Sequence, residues 1–408
     1  MSEQINVLYI SYDGMTDTLG QSQVIPYLKG LTNEGFSFTI LSCEKKLNFK
    51  RNQSIVRLFL EESSIKWEPI FYTKKPPIFS TIYDFLKLQV KAIELHKVNN
   101  FKIVHCRSYI PSLIGLKMKL KYNTKFVFDM RGFWADERVD GKLWDLNNPL
   151  FKLIFLFFKR AETRFLQNAD AIVSLTERGK AEMLSWPVMQ NVTTEINVIP
   201  CCVDTDLFNP TQIKDTTKIQ LREKLNIKPD DFVIGYLGSI GTWYMLDEML
   251  DFFVELKKAK PNAKFIFITF DEHDRILELA KNKDISANDI IINPAARNDV
   301  PEVLSILDYS IFFIKPTYSK ISSSPVKQGE IMAMGIPLIC NAGVGDTDII
   351  VNKYKSGLIV KAKKFNEVIL KMNQFQFDSN KIREGSTAYF SLALGINNYK
   401  QIYKSLIT

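Results

Sequence analysis

The feature that most limits the fold is a buried strand leading into a glycine-bearing loop, and it occurs twice. Ile5 to Ser11 is a near-continuous apolar run. A run without polar alternation reads as a strand covered on both faces, as in a parallel sheet. A loop containing Gly14 and Gly20 follows, then a helix from about Gln23 to Glu34 that ends at Gly35, then the strand Phe38 to Cys43. That order is a βαβ unit. The first loop lacks the GxGxxG spacing of a dinucleotide fingerprint. Phe232 to Leu237 opens a second series in the same way and runs into Gly238-Ser-Ile-Gly-Thr-Trp243.

Both series continue. In the first, strands are expected at Lys66 to Tyr72, Ile103 to Cys106, Lys125 to Phe128, Ala171 to Leu175 and Val198 to Pro200. In the second they are expected at Lys264 to Thr269, from Ile290, at Tyr309 to Lys315 and at Pro337 to Cys340. Helices alternate with them, and the tail, Ser386 to Ile407, reads as one more helix. A chain of 408 residues has room for about two domains with sizeable cores. The expectation is α/β, two Rossmann-like domains facing across a cleft.

In open α/β sheets, ligands sit beyond the carboxyl ends of strands. Two such ends carry chemistry in the first series. Arg107 lies just past one strand, and the next strand runs into Asp129-Met-Arg-Gly-Phe-Trp-Ala-Asp-Glu-Arg138. In the second series the richest stretch is Ile321 to Gly343. Ser324-Pro325 suits a helix start, with the serine as cap and proline in the first turn. A helix from about Pro325 to Met334 would aim free N–H groups and the positive end of its dipole at an anion. Lys327 falls in that first turn, where a cation is unfavourable unless an anion is near. Glu330 lies one turn on, near the same face. A diphosphate with a polyol beyond it would satisfy all these groups; an ordinary capped helix is the competing explanation.

Composition removes several classes of function. Cys43, Cys106, Cys201, Cys202 and Cys340 form no paired framework, which suits buried thiols rather than disulfides or zinc. The three histidines are scattered. The amino terminus has no basic start and long apolar core, so no secretory signal is expected. The net charge of +8 is unevenly placed: Phe71 to Lys125 holds 11 Lys and Arg against two acids. Such a face could meet an anionic lipid surface, a phosphorylated substrate or nucleic acid, or simply be solvated. Pro149 to Asn168 is an amphipathic helix rich in phenylalanine, with Lys152, Lys159, Arg160 and Arg164; it suits a membrane surface or a packed core.

The ordered residues resemble a known family. Val198-Ile-Pro-Cys-Cys-Val-Asp-Thr-Asp-Leu-Phe208 resembles the "IPxGVD" junction of family 4 glycosyltransferases, which have the GT-B fold. Gly235 to Gly241 resembles the phosphate loop opening their C-terminal domain. Ser323 to Gly335 resembles their "SPxKxxEyMAxG" donor helix, and Asp129 to Trp134 their N-domain loop. The resemblance implies an N-terminal domain of residues 1–205 plus about 388–408, with the last helix crossing back. It implies a donor-binding domain of residues 206–387.

The resemblance also implies site roles. Lys327 would contact the donor diphosphate and Glu330 the ribose hydroxyls. Gly238, Ser239 and Thr242 would approach the phosphates, and Arg297 the nucleobase. Gly20 would lie close to the transferred sugar. Ser322, eight residues before Glu330, stands where the family has a first glutamate, so Ser322, Ser323 and Ser324 would face the donor sugar. Arg131 stands at the family's histidine position. It is permanently charged, cannot serve as a base, and suits clamping a phosphate or carboxylate. Asp129, Trp134 and Arg107 fall on the acceptor side.

The implied activity is retaining transfer of a hexosyl or N-acetylhexosaminyl group from a nucleoside-diphosphate sugar, UDP-sugar favoured, to a polysaccharide or lipid-linked glycan. No cofactor and no metal are expected. A fixed lysine and helix N–H groups can stabilise the departing diphosphate, and the letters Asp204-Thr-Asp206 belong to the junction turn. The expected location is cytoplasmic, peripheral at the inner face of the membrane, through the basic 71–125 stretch and the 149–168 helix. Alternatives are an epimerase or hydrolase of the same fold or a nucleic-acid-binding protein. The aromatics are not interleaved with the basic residues as stacking platforms would be, so no nucleic-acid partner is expected.

Overall fold

The sequence resolves into two parallel sheets. The structure, a computed structural model, describes residues 4–407. The chain divides into two compact units, Met1–Pro200 with Leu392–Thr408, and Cys201–Ser391. The first sheet contains β1 (Ile5–Ser11), β2 (Phe36–Glu44), β3 (Lys66–Phe71), β4 (Ile103–Arg107), β5 (Lys125–Asp129), β6 (Ala171–Ser174) and β7 (Ile196–Val198). Its order is β3-β2-β1-β4-β5-β6-β7, so the direction of winding reverses between β1 and β4. Register sets Ser11 opposite Arg107 and Arg107 opposite Asp129, which brings the carboxyl ends of β1, β4 and β5 level.

The second sheet contains β8 (Val233–Leu237), β9 (Lys264–Ile268), β10 (Ile290–Ile292), β11 (Tyr309–Phe312), β12 (Leu338–Asn341) and β13 (Gly357–Val360). Its order is β10-β9-β8-β11-β12-β13, with the reversal between β8 and β11. The two sheets with their flanking helices are of the GT-B type.

The apolar runs form these strands because both faces are covered. Val7, Leu8, Ile10, Ile103, Val104 and Cys106 are fully buried in unit 1, as are Ile234, Tyr236, Phe265, Phe267 and Ile311 in unit 2. A buried leucine, isoleucine or phenylalanine contributes about 1.5–3 kcal/mol relative to exposure. In unit 1, the helices Phe79–Asn99 and Pro149–Asn168 both pack against the helix Tyr109–Tyr122, so the three lie side by side in one layer. Helix Pro149–Asn168 has the expected bounds, and its start is fixed by Asn148 accepting from Leu150 N–H and by proline in the first turn. It buries Phe158, Ala161, Phe165 and Leu166, and leaves Leu150, Leu153, Leu156 and Phe157 in solvent.

Several expectations are corrected. The helix at 23–34 is two helices, Thr18–Gln23 and Ile25–Thr32, broken at Val24, two residues before Pro26. Gly20 is therefore helical and not in a loop. The tail is also two helices, Ser379–Phe390 and Leu392–Ser405, separated by extended backbone at Ser391. The second of them belongs to unit 1 and packs on Ile25–Thr32. The two compact units divide after Pro200 and after Ser391. Val203 bridges Ser391 and donates its N–H to Phe390, which ties both crossing segments into unit 2. The strand expected at 198–200 is centred two residues earlier, at Ile196–Val198. Helices Lys46–Glu62, Glu177–Ser185 and His273–Lys281 are present in addition to the expected elements.

Candidate functional site

Two constellations form, one in each unit, each at the carboxyl ends of strands beside a winding reversal. In unit 2 the helix Val326–Ala333 supplies the first. Its N-cap is Pro325, which has no side-chain cap bond. Ser324 is not the expected cap: its hydroxyl accepts from Cys201 N–H at 3.1 Å. The helix N–H groups thus keep the orientation an anion needs, without a serine across them.

Lys327, second in that helix, is buried. Its Nζ donates to Tyr236 Oη at 3.0 Å and lies 3.8 Å from the ring centre of Tyr244 and 4.3 Å from that of Tyr236. The ammonium is held over ring faces, whose charge distribution attracts a cation. Burial pushes its pKa down to about 7, against the pull of Glu330 and Asp271. Residue 238 has φ +113°, and a Cβ built there would stand 2.9 Å from Lys327 Nζ. Glycine at 238 therefore serves both the turn and the close approach of the ammonium.

Around this pair, Ile240 N–H donates to Asp271 at 2.6 Å and Gly241 N–H to Ser239 Oγ at 3.4 Å. Ser239 and Thr242 are exposed at the tip of the loop. Glu330 is buried and accepts from Arg297 Nη1 at 2.9 Å. Burial raises its pKa while Arg297 opposes the rise. Arg297 in turn lies over Phe208, 5.4 Å from the ring centre. Ser322 is buried and donates to Ser319 C=O at 3.0 Å, within its own turn. Ser323 is half-buried. Lys320, which no sequence pattern singled out, is buried with Nζ 3.8 Å from the Trp243 ring centre, a second cation beside the glycine loop. Its only sequence signal was the nearby run of small hydroxyl residues.

In unit 1, Asp129 ends β5 and is fully buried. Its Oδ2 is approached by Tyr399 Oη at 3.2 Å, His105 Nε2 at 3.4 Å and Arg131 Nη1 at 3.9 Å. Burial raises its pKa, but Arg131, His105 and Arg107 together outweigh that and hold the carboxyl below its usual value. His105 Nδ1 meets Tyr403 Oη at 2.7 Å, and burial lowers the imidazole pKa, so the ring is neutral. Arg107 is buried, with Nε 3.4 Å from Asp13 Oδ2. Arg131 has φ +56° and Gly132 φ +110°, two successive left-handed residues at the strand end. A non-glycine residue held there is strained, which is a recurrent property of functional loops.

Trp134 does not join this group through its ring. It packs in an aromatic cluster with Phe158 at 4.8 Å, Trp144 at 5.4 Å and Tyr109 at 5.7 Å between ring centres. Gly20 is packed against backbone: a Cβ there would collide with Gly14 C=O and meet Met15 Cα at 2.5 Å. His105, Tyr399 and Tyr403 were missed, because the tail that carries two of them lies some 270 residues or more from Asp129 and His105 in sequence.

Two family models together cover most of the chain. The sequence model described as Glycosyltransferase Family 4 matches residues 23–207, and that described as Glycosyl transferases group 1 matches residues 217–385. The chain belongs to the family 4, group 1 glycosyltransferases. No curated protein matches the sequence. Among solved structures, the glycosyltransferase is similar to sucrose-phosphate synthase from Thermosynechococcus elongatus, with TM-score 0.75, 14% identity and 99% of each chain covered. It is similar to a glycosyltransferase from Rickettsia africae, with TM-score 0.70, 18% identity and 99% of each chain covered. It is also similar to HepE of Anabaena in complex with UDP-glucose, with TM-score 0.70, 12% identity and 99% of each chain covered.

In this glycosyltransferase Asp204 Oδ1 accepts from the N–H groups of Asp206 and Leu207 at 3.0 and 3.1 Å, so the Asp-Thr-Asp letters form a turn. Among the described residues, no three His, Cys, Asp or Glu side chains gather as a metal site.

Proposed function

We propose that this glycosyltransferase moves a hexosyl or N-acetylhexosaminyl group from a UDP-sugar to a polysaccharide or lipid-linked glycan, with retention of configuration and without a metal. One observation carries the reading: Lys327 Nζ is buried beside Gly238, at the tip of a helix whose first N–H groups carry no side-chain cap. A departing diphosphate seated there meets a fixed cation and oriented N–H dipoles at once, and charge building on it is stabilised without reorganisation. Glu330 supplies a buried acceptor for the ribose hydroxyls. UDP is favoured because the structural neighbour HepE holds UDP-glucose.

A panel of nucleotide sugars read by thermal shift tests the donor class, since a bound donor raises apparent stability by mass action. UDP-sugars should shift the wild type, while Lys327→Ala and Glu330→Ala should remain folded, show no shift and transfer no sugar. Full transfer by either variant would sink the assignment. Incubation with donor alone separates transfer from epimerisation or hydrolysis, because either of those would consume donor without an acceptor. The configuration of the product, read by NMR coupling constants, tests retention. Undiminished activity in excess chelator is expected.

The same proposal places the enzyme at the inner face of an anionic membrane. Support comes from the single layer formed by helices Phe79–Asn99, Tyr109–Tyr122 and Pro149–Asn168. Its solvent side carries Phe79, Ile82, Tyr83, Leu86, Leu120, Leu153 and Phe157, interspersed with Lys117, Lys121, Lys152 and Arg160. Apolar side chains among lysines suit insertion between anionic headgroups. Among the described residues, no helix is long and apolar enough to cross a membrane.

A further inference from the structure

In unit 1 a buried arginine at the carboxyl end of β4, Arg107, keeps part of its guanidinium unmet. The first sheet reverses winding between β1 and β4, the place where open sheets bind ligands. Arg107 is the last residue of β4, level with Ser11 of β1 and Asp129 of β5. Its side chain is only 5% exposed, and its Nη1 has no hydrogen-bond partner among the described residues. A buried guanidinium N–H left unmet is costly, so such a group usually has a partner to receive it.

Arg131 lies close enough to Arg107 that each opposes the other's charge. Two carboxylates lie beside them, Asp129 at Arg131 and Asp13 at Arg107. Asp129 is shared among Arg131, His105 and Tyr399. Asp13 touches Arg107 Nε at 3.4 Å but is half exposed, so it can swing aside. His105 and Tyr9 add no charge, because burial lowers the pKa of the imidazole and raises that of the phenol to about 12.

We propose that Arg107 and Arg131 form a site for an oxyanion carried by the acceptor, a phosphate or a carboxylate, which displaces Asp13 from the Arg107 fork. Arginine suits this because its planar fork presents paired N–H donors to two oxygens at once. The inference rests on the reading of unit 1 as the acceptor side and deepens it: the acceptor is anionic.

The test uses the full chain carrying Lys327→Met, so that the proposed diphosphate site contributes nothing. Inorganic phosphate and glucuronate are each titrated at constant ionic strength and followed by thermal shift and calorimetry. One of them should raise the melting temperature by on the order of 3 °C or more at about tenfold its Kd, and the one that binds tighter names the group. Asp13→Asn, which removes the competing carboxylate, should tighten binding about tenfold, and Arg107→Gln should weaken it by about tenfold or more. No response to either anion, or a response unchanged in both variants, would overturn the site. UDP titration of the wild type reports separately on the donor reading, so failure of one leaves the other standing.

Discussion

A side chain at residue 238 would place its first carbon 2.9 Å from the ammonium of Lys327. The glycine therefore keeps open the space that the lysine occupies, where the ammonium meets a phenol oxygen and two ring faces, and where burial outweighs the pull of Glu330 and Asp271. Without an anion this is a poor place for a charge, and that gives the first prediction. The group has a pKa of about 7 in the folded chain and 10.5 as a reference. Below pH 7 it is protonated in both states and the cost of the buried charge is present in full. Between pH 7 and 10.5 the unfolded chain holds a proton that the folded chain does not, so stability rises with pH and the cost disappears. Lys327→Met should melt higher than the wild type at pH 6, with the gap narrowing toward pH 10. A lower melting temperature for the variant at pH 6 would show that the lysine is already compensated.

The same depressed pKa predicts a pH-dependent donor affinity. A bound diphosphate restores the ammonium, so binding takes up a proton wherever the free lysine is neutral. UDP affinity should be flat below pH 7 and fall by up to about tenfold per pH unit above it. Calorimetry in buffers of different ionisation enthalpy would register the proton uptake at pH 8, and a flat profile to pH 9 would contradict it.

Arg297 and Glu330 form the second linked pair, 2.9 Å apart with the carboxylate buried. Removing the arginine alone leaves a buried carboxylate without its cation, which is more damaging than losing the pair. Arg297→Met should cost about 3 kcal/mol of stability in urea unfolding and weaken donor binding. The double variant Arg297→Met with Glu330→Gln should recover much of the stability but not the affinity. Equal stability of the single and double variants would argue that solvent already compensates Glu330.

The outline of this molecule was legible where burial alone decides structure. β1 and β8 are legible in their apolar runs, and the helix Pro149–Asn168 in its amphipathic, phenylalanine-rich pattern. The helix Lys46–Glu62 escaped because it buries only Val56 and Leu60 and so lacks a clear apolar stripe. The break at Ser391 escaped because no glycine or proline marks it; it is set by Val203 pairing with that segment. At the site, Lys327 and Glu330 were recognisable by their spacing in one helix. The aromatic cradle of Tyr236 and Tyr244, the cation Lys320 and the Asp129–His105–Tyr399 contacts join residues distant in sequence, and no local pattern announces them.

Glu44 at the end of β2 anchors the loop after β1. Its carboxylate accepts from Met15 N–H at 2.7 Å, Thr16 N–H at 3.1 Å, Thr16 Oγ1 at 2.5 Å and Ser42 Oγ at 2.6 Å, all buried. Glu44→Ala strands four donors and should destabilise unit 1 by about 3 kcal/mol or more. Hydrogen exchange should rise first at residues 14–16, and unchanged protection there would mean that the close packing of Gly20 holds the loop instead.

The last prediction concerns the helix layer of unit 1. Phe79, Ile82, Tyr83 and Leu86 are spaced to project from one face of their helix, and all four are exposed. An ordinary solvated surface would not repeat apolar residues at this spacing; an interfacial helix would. Lys87 and Lys91 on the same helix are partly tied to Asp84 and Glu68, at 2.8 and 3.0 Å, so Lys74, Lys75, Lys117 and Lys121 carry more of the available attraction. Each lysine near an anionic surface contributes about 1 kcal/mol, and the attraction weakens with salt. The enzyme should sediment with vesicles containing phosphatidylglycerol and not with phosphatidylcholine alone. Ile82→Asp with Leu86→Asp should abolish this while leaving the melting temperature within about 2 °C, because neither side chain is buried. Loss of vesicle binding in high salt alone, with the double aspartate variant binding as well as wild type, would assign the contact to charge and remove the apolar stripe from it.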